Sequence, residues 1–272
     1  MAVGGARSDT LLVQGQHTAV RNLVQNGDVE LAFLFIGGND YFNVGASIAD
    51  GSLTSPALTS WAPSVVNSMG VAMDTVLSAN PTGMVVAGLP DILRTPAGRS
   101  TFDTPAEIAR GNIAVDLVNT LLRPAVLGRG QVFLDLATAS RDADSAPLVV
   151  GSVTIDTVNA GAAPTFFFQD GRHPAAVGNG LIANMFLSAV NIGYGTSYAP
   201  LSDLEILTTA GLASQYTGET SQFPYARYVF LPVPEPSSVT LAIASILCLA
   251  GSRYRRRTRR PRVVEIETAK AT

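Results

Sequence analysis

The sequence predicts an α/β fold, a three-layer α/β/α sandwich on a mostly parallel sheet. Three observations carry that reading. Short, nearly unbroken apolar runs end in glycine or aspartate, as buried parallel strands do. Longer stretches of helical periodicity separate them, which is the pattern of crossover helices. Hydrophobic residues make up 47% and charged residues 14% of the 272-residue chain, enough apolar material for a full core and too much for a disordered body.

The elements follow in order. "VELAFLFIGG" supplies the first strand, Val29 to Ile36, closed by a glycine pair. Val65, Val66, Met69, Met73, Val76 and Leu77 recur at the spacing of one helix face before a Pro-Thr-Gly stop. "MVVAGLPD", Met84 to Asp91, is the second strand. Thr104 followed by Glu107 reads as a capping box, opening a helix that runs to Leu122. "QVFLDL", Gln131 to Leu136, is the third strand. "PLVVGSVTI" alternates apolar and small residues, as an inserted hairpin or edge strand would. After "FFFQDGRHP" a helix begins close to Pro174, a position where proline is tolerated. "LSDLEILTTAGL" is a further short helix, and the Gly-, Ser-, Pro- and aromatic-rich text beyond it reads as a linker. The expected organisation is a body over residues 1–212, a linker over 213–232, an anchor segment over 233–262 with its membrane helix at about 237–252, and a tail over 263–272.

Charge excludes one class of function. Seven arginines fall between Arg253 and Arg262. Before Arg253 there are ten arginines and no lysine against nineteen acidic residues. So acidic a body lacks the basic surface that a nucleic-acid partner requires. Cys248 is the sole cysteine, so neither an internal disulfide nor a cysteine-built zinc site is available.

Two motifs lie where open α/β sheets place function, in loops after strands. "FIGGNDYFN" presents Asn39 at a strand tip, with an amide able to donate two hydrogen bonds. The same residues are also good turn chemistry. "DGRHP" sets Asp170 three residues before His173, so that a carboxylate can hold one imidazole nitrogen and leave the other free to take a proton. Its plainer alternatives are a helix N-cap for Asp170 and an inert surface imidazole for His173. One His and one Asp are too few for a metal.

In order and spacing these motifs resemble the SGNH (GDSL-type) hydrolase family, whose signature has four blocks. "AVGGARS" is similar to the second block, with Gly5 on its oxyanion-hole glycine. "GGND" matches the third, with Asn39 as oxyanion-hole asparagine, and "DGRHP" the fourth, with Asp170 orienting and His173 as general base. The resemblance covers roughly Met1 to Tyr194 and is greatest to the esterase, lipase and haemolysin-type branch. It implies a flavodoxin-like SGNH fold, hydrolysis of carboxylic esters and no cofactor. The substrate stays open between lipid, acylated saccharide and other acyl esters. The first block, Gly-Asp-Ser with the nucleophile, does not occur, and neither does a Gly-x-Ser-x-Gly elbow. Ser8 lies behind the second-block glycine and is not promoted to nucleophile. The resemblance therefore implies an N-terminally incomplete domain, inactive for want of its serine, with Met1 an internal methionine or misassigned start. A non-catalytic SGNH-like surface or matrix-binding protein is the alternative, and coincidental turns on an anchored structural protein a third.

At the other end, "VPEPSSVTLAIASILCLAGSRYRRRTRRPR" places a Pro-Glu-Pro triplet, an apolar segment from Val239 to Ala250 and an arginine cluster in series. The twelve apolar-segment residues alone reach about 18 Å. Flanking Ser and Gly and snorkelling arginines extend them toward the ~30 Å hydrocarbon core. A buried or amphipathic terminal helix is the alternative. The series closely resembles the PEP-CTERM sorting signal of certain Gram-negative bacteria. That implies an exosortase-like protease as partner and a place in the cell envelope. The arginines would stay cytoplasmic and the body outside.

Overall fold

A computed structural model of the chain describes residues 2–221 and 223–232. The chain begins with two helices, α1 (Ser8–Val13) and α2 (Gln16–Gln25), and then enters strand β1 (Leu31–Leu34). Helices α3 (Gly38–Ala49) and α4 (Ser55–Leu77) lead to β2 (Gly83–Ala87). Helices α5 (Pro96–Thr101) and α6 (Pro105–Leu127) lead to β3 (Val132–Leu134). Next come α7 (Leu136–Ser145), the strands β4 (Leu148–Val150), β5 (Val153–Ala160) and β6 (Phe166–Phe168), then α8 (Ala176–Tyr194) and α9 (Asp203–Thr209). A last short strand, β7 (Val229–Phe230), ends the described residues.

The main sheet has the order β1-β2-β3-β7. β1, β2 and β3 run parallel, and β7 joins β3 antiparallel. All five β2 residues are buried, as an apolar run enclosed on both faces should be. Alternation divides them between two cores. Met84 and Val86, with Phe133 of β3, meet Met69 and Met73 of α4 and Val118 and Leu122 of α6. Val85 and Ala87, with Val132 and Leu134, meet Met185, Ala189 and Val190 of α8. Helices thus cover both faces of a mostly parallel sheet, the mixed α/β class expected.

The capping box at the start of α6 forms as read: Thr104 accepts from the Glu107 amide, and Glu107 accepts from the Thr104 amide. "PLVVGSVTI" becomes the β4–β5 antiparallel hairpin. β6 extends it, and a third core forms with Val177 and Leu181 of α8 and Ile206 and Leu207 of α9. β1 is shorter than the run Val29 to Ile36, because Gly37 turns at φ +109° and α3 starts at once.

One expectation is corrected. Residues 213–232, read as a linker, belong to the same compact unit as the body. Tyr228 is fully buried against α8, and β7 completes the sheet edge. Aromatic residues in that stretch pack, where the Gly and Pro around them suggested a solvated chain. Among the described residues, the helix long and apolar enough to cross a membrane is α8, whose Met185, Ala189 and Val190 are committed to the sheet core. The membrane helix expected at about 237–252 lies outside the described residues.

Candidate active site

Gly37, Asn39, Asp40, Tyr41 and Phe42 of "GGNDYF" each have a separate use. A Cβ on Gly37 would meet Leu89 Cδ2 at 2.6 Å, so the sharp strand-to-helix turn requires glycine for space as well as for its φ of +109°. Asn39, exposed in the first turn of α3, donates from Nδ2 to the Ala6 carbonyl at 3.0 Å. Asp40 is buried and accepts from Ser8 twice, from its backbone N–H at 2.8 Å and from its hydroxyl at 2.7 Å. Burial pushes the Asp40 carboxyl up, and the two Ser8 donors oppose the shift. Tyr41 is fully buried and donates to the Gly111 carbonyl at 3.1 Å, fastening α3 to α6. Burial raises its phenol well above the usual range. Phe42 offers its ring to the guanidinium of Arg172, 4.4 Å away.

These contacts gather the three motifs. Asn39 and Asp40 together hold the Gly5–Ser8 segment on the N-terminal turn of α3. Gly5 itself is an exposed turn residue with φ +76°. Arg172 over Phe42 brings the "DGRHP" loop to the same helix, and the loop also docks on α5, where Gly171 accepts from Ala97 N–H at 3.0 Å.

Within that loop, Asp170 Oδ2 lies 2.7 Å from His173 Nδ1. An ionised carboxylate only accepts, so Nδ1 carries a proton, and in the neutral imidazole Nε2 is the nitrogen with the free lone pair. Asp170 Oδ1 accepts from the backbone N–H of His173 at 2.9 Å and of Arg172 at 3.1 Å. The His173 ring, then its backbone N–H and that of Arg172, hold the Asp170 carboxyl well below the ordinary range. The alternative use of Asp170 as a helix N-cap is not what forms: α8 is preceded by Ala175 at its N-cap, without a side-chain bond. Both side chains are open to solvent, His173 at 74%.

So Asp170 and His173 are paired, and Asn39 and the Gly5 segment are joined. The two pairs meet through Arg172 and Phe42, with no direct hydrogen bond between them among the described residues. No serine or threonine hydroxyl is bonded to His173 among the described residues either. Ser8 is buried and already committed to Asp40. Among the described residues, no group of three or more His, Cys, Asp or Glu is placed to hold a metal. Beside the site, β1 is an edge of its sheet among the described residues, with Phe33 and Phe35 exposed. The sequence reading missed the Ser8–Asp40 bonds and the Arg172–Phe42 stack. The one available signal was that each of the four residues stands inside a quoted motif.

Comparison with protein-family models and with curated proteins finds no match.

Proposed function

We propose that the chain is an SGNH-type ester hydrolase of the cell envelope that carries the base and oxyanion parts of the site. His173 is the general base, Asp170 orients it, and Asn39 with the Gly5 N–H forms the oxyanion hole. The observation that carries this is the meeting of all three motifs on the first turns of α3, with the Asp170–His173 bond at 2.7 Å. Helices on both faces of parallel strands in the order β1-β2-β3 support an SGNH-type sandwich.

The chemistry follows from the groups. A serine hydroxyl attacks the ester carbonyl carbon while His173 Nε2 takes its proton, and Asp170 stabilises the imidazolium. The carbonyl oxygen becomes an oxyanion, held by the Gly5 N–H and by the Asn39 amide. One Asn39 N–H is engaged by the Ala6 carbonyl, which leaves the other for the oxyanion. The alcohol leaves with the His173 proton, and water repeats the sequence on the acyl-enzyme.

No nucleophile has been assigned in the 272 residues. The open β1 edge beside "GGND" is where a neighbouring strand ending in Gly-Asp-Ser would pair. The test is a fusion that places such a strand before residue 1, assayed on p-nitrophenyl esters. Hydrolysis that needs both the added serine and His173 supports the reading. Equal rates after His173→Ala count against it. The second reading, a non-catalytic SGNH-like surface protein, is favoured by the absence of a hydroxyl on His173 among the described residues. It is the outcome if the fusion stays inactive yet folds. The anchor belongs to the same proposal: the segment at about 237–252 spans the membrane, and an exosortase-like protease sorts the protein. Deletion from Val239 onward then releases the body into the soluble fraction, and retention in the membrane pellet refutes the anchor.

A further inference from the structure

Behind the "DGRHP" loop the fold forms a partly open cavity of about 130 Å³. Its walls come from distant parts of the chain: Phe35 past the end of β1, Leu136 at the start of α7, Phe168 of β6, and Leu181 and Met185 of α8. The last four are each at least nine-tenths buried. The β4–β5–β6 insertion closes one side, so this space depends on a segment that the main sheet does not need. Arg172 and Pro174, the residues on either side of His173, both line the cavity. The space therefore adjoins the loop that carries His173, whose own side chain points largely to solvent.

The charged groups around it are mostly spoken for. Asp91 is fully buried and pairs with Arg141 at 2.7 Å and Arg94 at 3.5 Å. Asp144 pairs with Arg94 at 2.9 Å and with Arg99. These pairs neutralise the wall and call for no charged ligand. Arg172 differs: it stacks on Phe42 and has no carboxylate partner among the described residues. The cavity thus offers an apolar interior with one available cation on its wall, next in sequence to His173. That pattern fits a ligand with a hydrocarbon body and a carbonyl or carboxylate head.

We infer that this cavity holds the acyl chain of the ester, with the head group at Arg172 and His173, and that the chain is longer than acetyl. An apolar cavity of about 150 Å³ takes up benzene, so this one accommodates on the order of six carbon atoms. Acetylated saccharides would leave it empty. The ligand's identity rests on the ester-hydrolase reading, whereas occupancy of the cavity can be measured without any turnover.

The experiment uses the full chain and two probes, sodium hexanoate and sodium acetate, followed by ¹³C-methyl NMR of Leu181, Ile182 and Met185. Burial of each methylene favours binding about fourfold, so hexanoate should bind at least ~10-fold more tightly than acetate and shift those methyls. Ile182→Trp on α8 and Ala143→Phe on α7 fill the space from two walls, and either one that retains the native spectrum should weaken hexanoate at least ~10-fold. Equal affinity for the two acids, no binding of hexanoate, or full hexanoate affinity in a folded filled variant would overturn the inference. In the serine-bearing fusion, hydrolysis of p-nitrophenyl acetate with no gain for the hexanoate ester removes the cavity from the substrate site and leaves the hydrolase reading standing. Hexanoate binding in a fusion that hydrolyses neither ester does the reverse.

Discussion

Asp40→Ala tests how the N-terminal motif is held. The carboxylate takes both Ser8 donors, the backbone N–H at 2.8 Å and the hydroxyl at 2.7 Å, and both residues are buried. Truncation leaves the two donors without an acceptor. Each unmet buried donor costs about 1–3 kcal/mol. The hydroxyl can rotate toward another acceptor but the backbone N–H cannot, and the penalty of burying the carboxylate is returned. The net loss should be about 2–4 kcal/mol, a large part of the ~5–15 kcal/mol that keeps a domain folded. In melting temperature this is a fall of roughly 4–16 °C. Ser8→Ala removes the hydroxyl bond alone and should lose only about 1 kcal/mol. The double variant should lose less than the sum, because both act on one contact. Thermal and urea unfolding followed by circular dichroism measure all three. A loss below about 1 kcal/mol for Asp40→Ala, or strict additivity, would show that Asp40 does not hold the Gly5–Ser8 segment.

Gly37→Ala forces a side chain into a left-handed residue and onto Leu89. The backbone penalty of about 1–2 kcal/mol and overpacking of about 1–3 kcal/mol should appear together in urea unfolding. Glu107, held down at about 2 first by the Thr104 backbone N–H, lies below its unfolded value. Its contribution to stability is therefore complete above the ordinary carboxylate range and is lost as pH falls toward about 2. In Glu107→Gln that part of the acid limb should flatten in a plot of melting temperature against pH. In the serine-bearing fusion, Asp170→Asn should lower kcat by up to ~10⁴ through loss of the correct imidazole tautomer, with the fold unchanged by circular dichroism.

What the sequence made legible was local. β2 could be read because five consecutive residues are apolar, α6 because its capping box lies within four residues, and the Asp170–His173 pair because three positions of spacing bring the groups together without help from the rest of the chain. α2 was missed because its stretch, "QHTAVRNLVQ", is mostly polar. β7 was missed because two residues carry no periodicity, and its partner β3 lies far back in the chain. The contacts that gather the site, Ser8 to Asp40 and Arg172 to Phe42, join segments that only the folded sheet makes neighbours. Their residue types fit plain surface roles equally well. The buried Asp40 left a trace in hindsight: a carboxylate directly before Tyr41 in a chain with so few charges needs a partner, and Ser8 stands in the only other glycine-rich motif near it.

The decisive measurement is the kcat of Asn39→Ala on p-nitrophenyl hexanoate in the serine-bearing fusion. Asn39 is exposed, and its one side-chain hydrogen bond among the described residues, to the Ala6 carbonyl, can be replaced by water, so the variant should fold as the parent does. If its second amide proton meets the oxyanion, kcat falls by about 10²–10³ while KM changes little. An unchanged kcat in the folded variant would place the oxyanion elsewhere and undo the assignment of the three motifs to one active site.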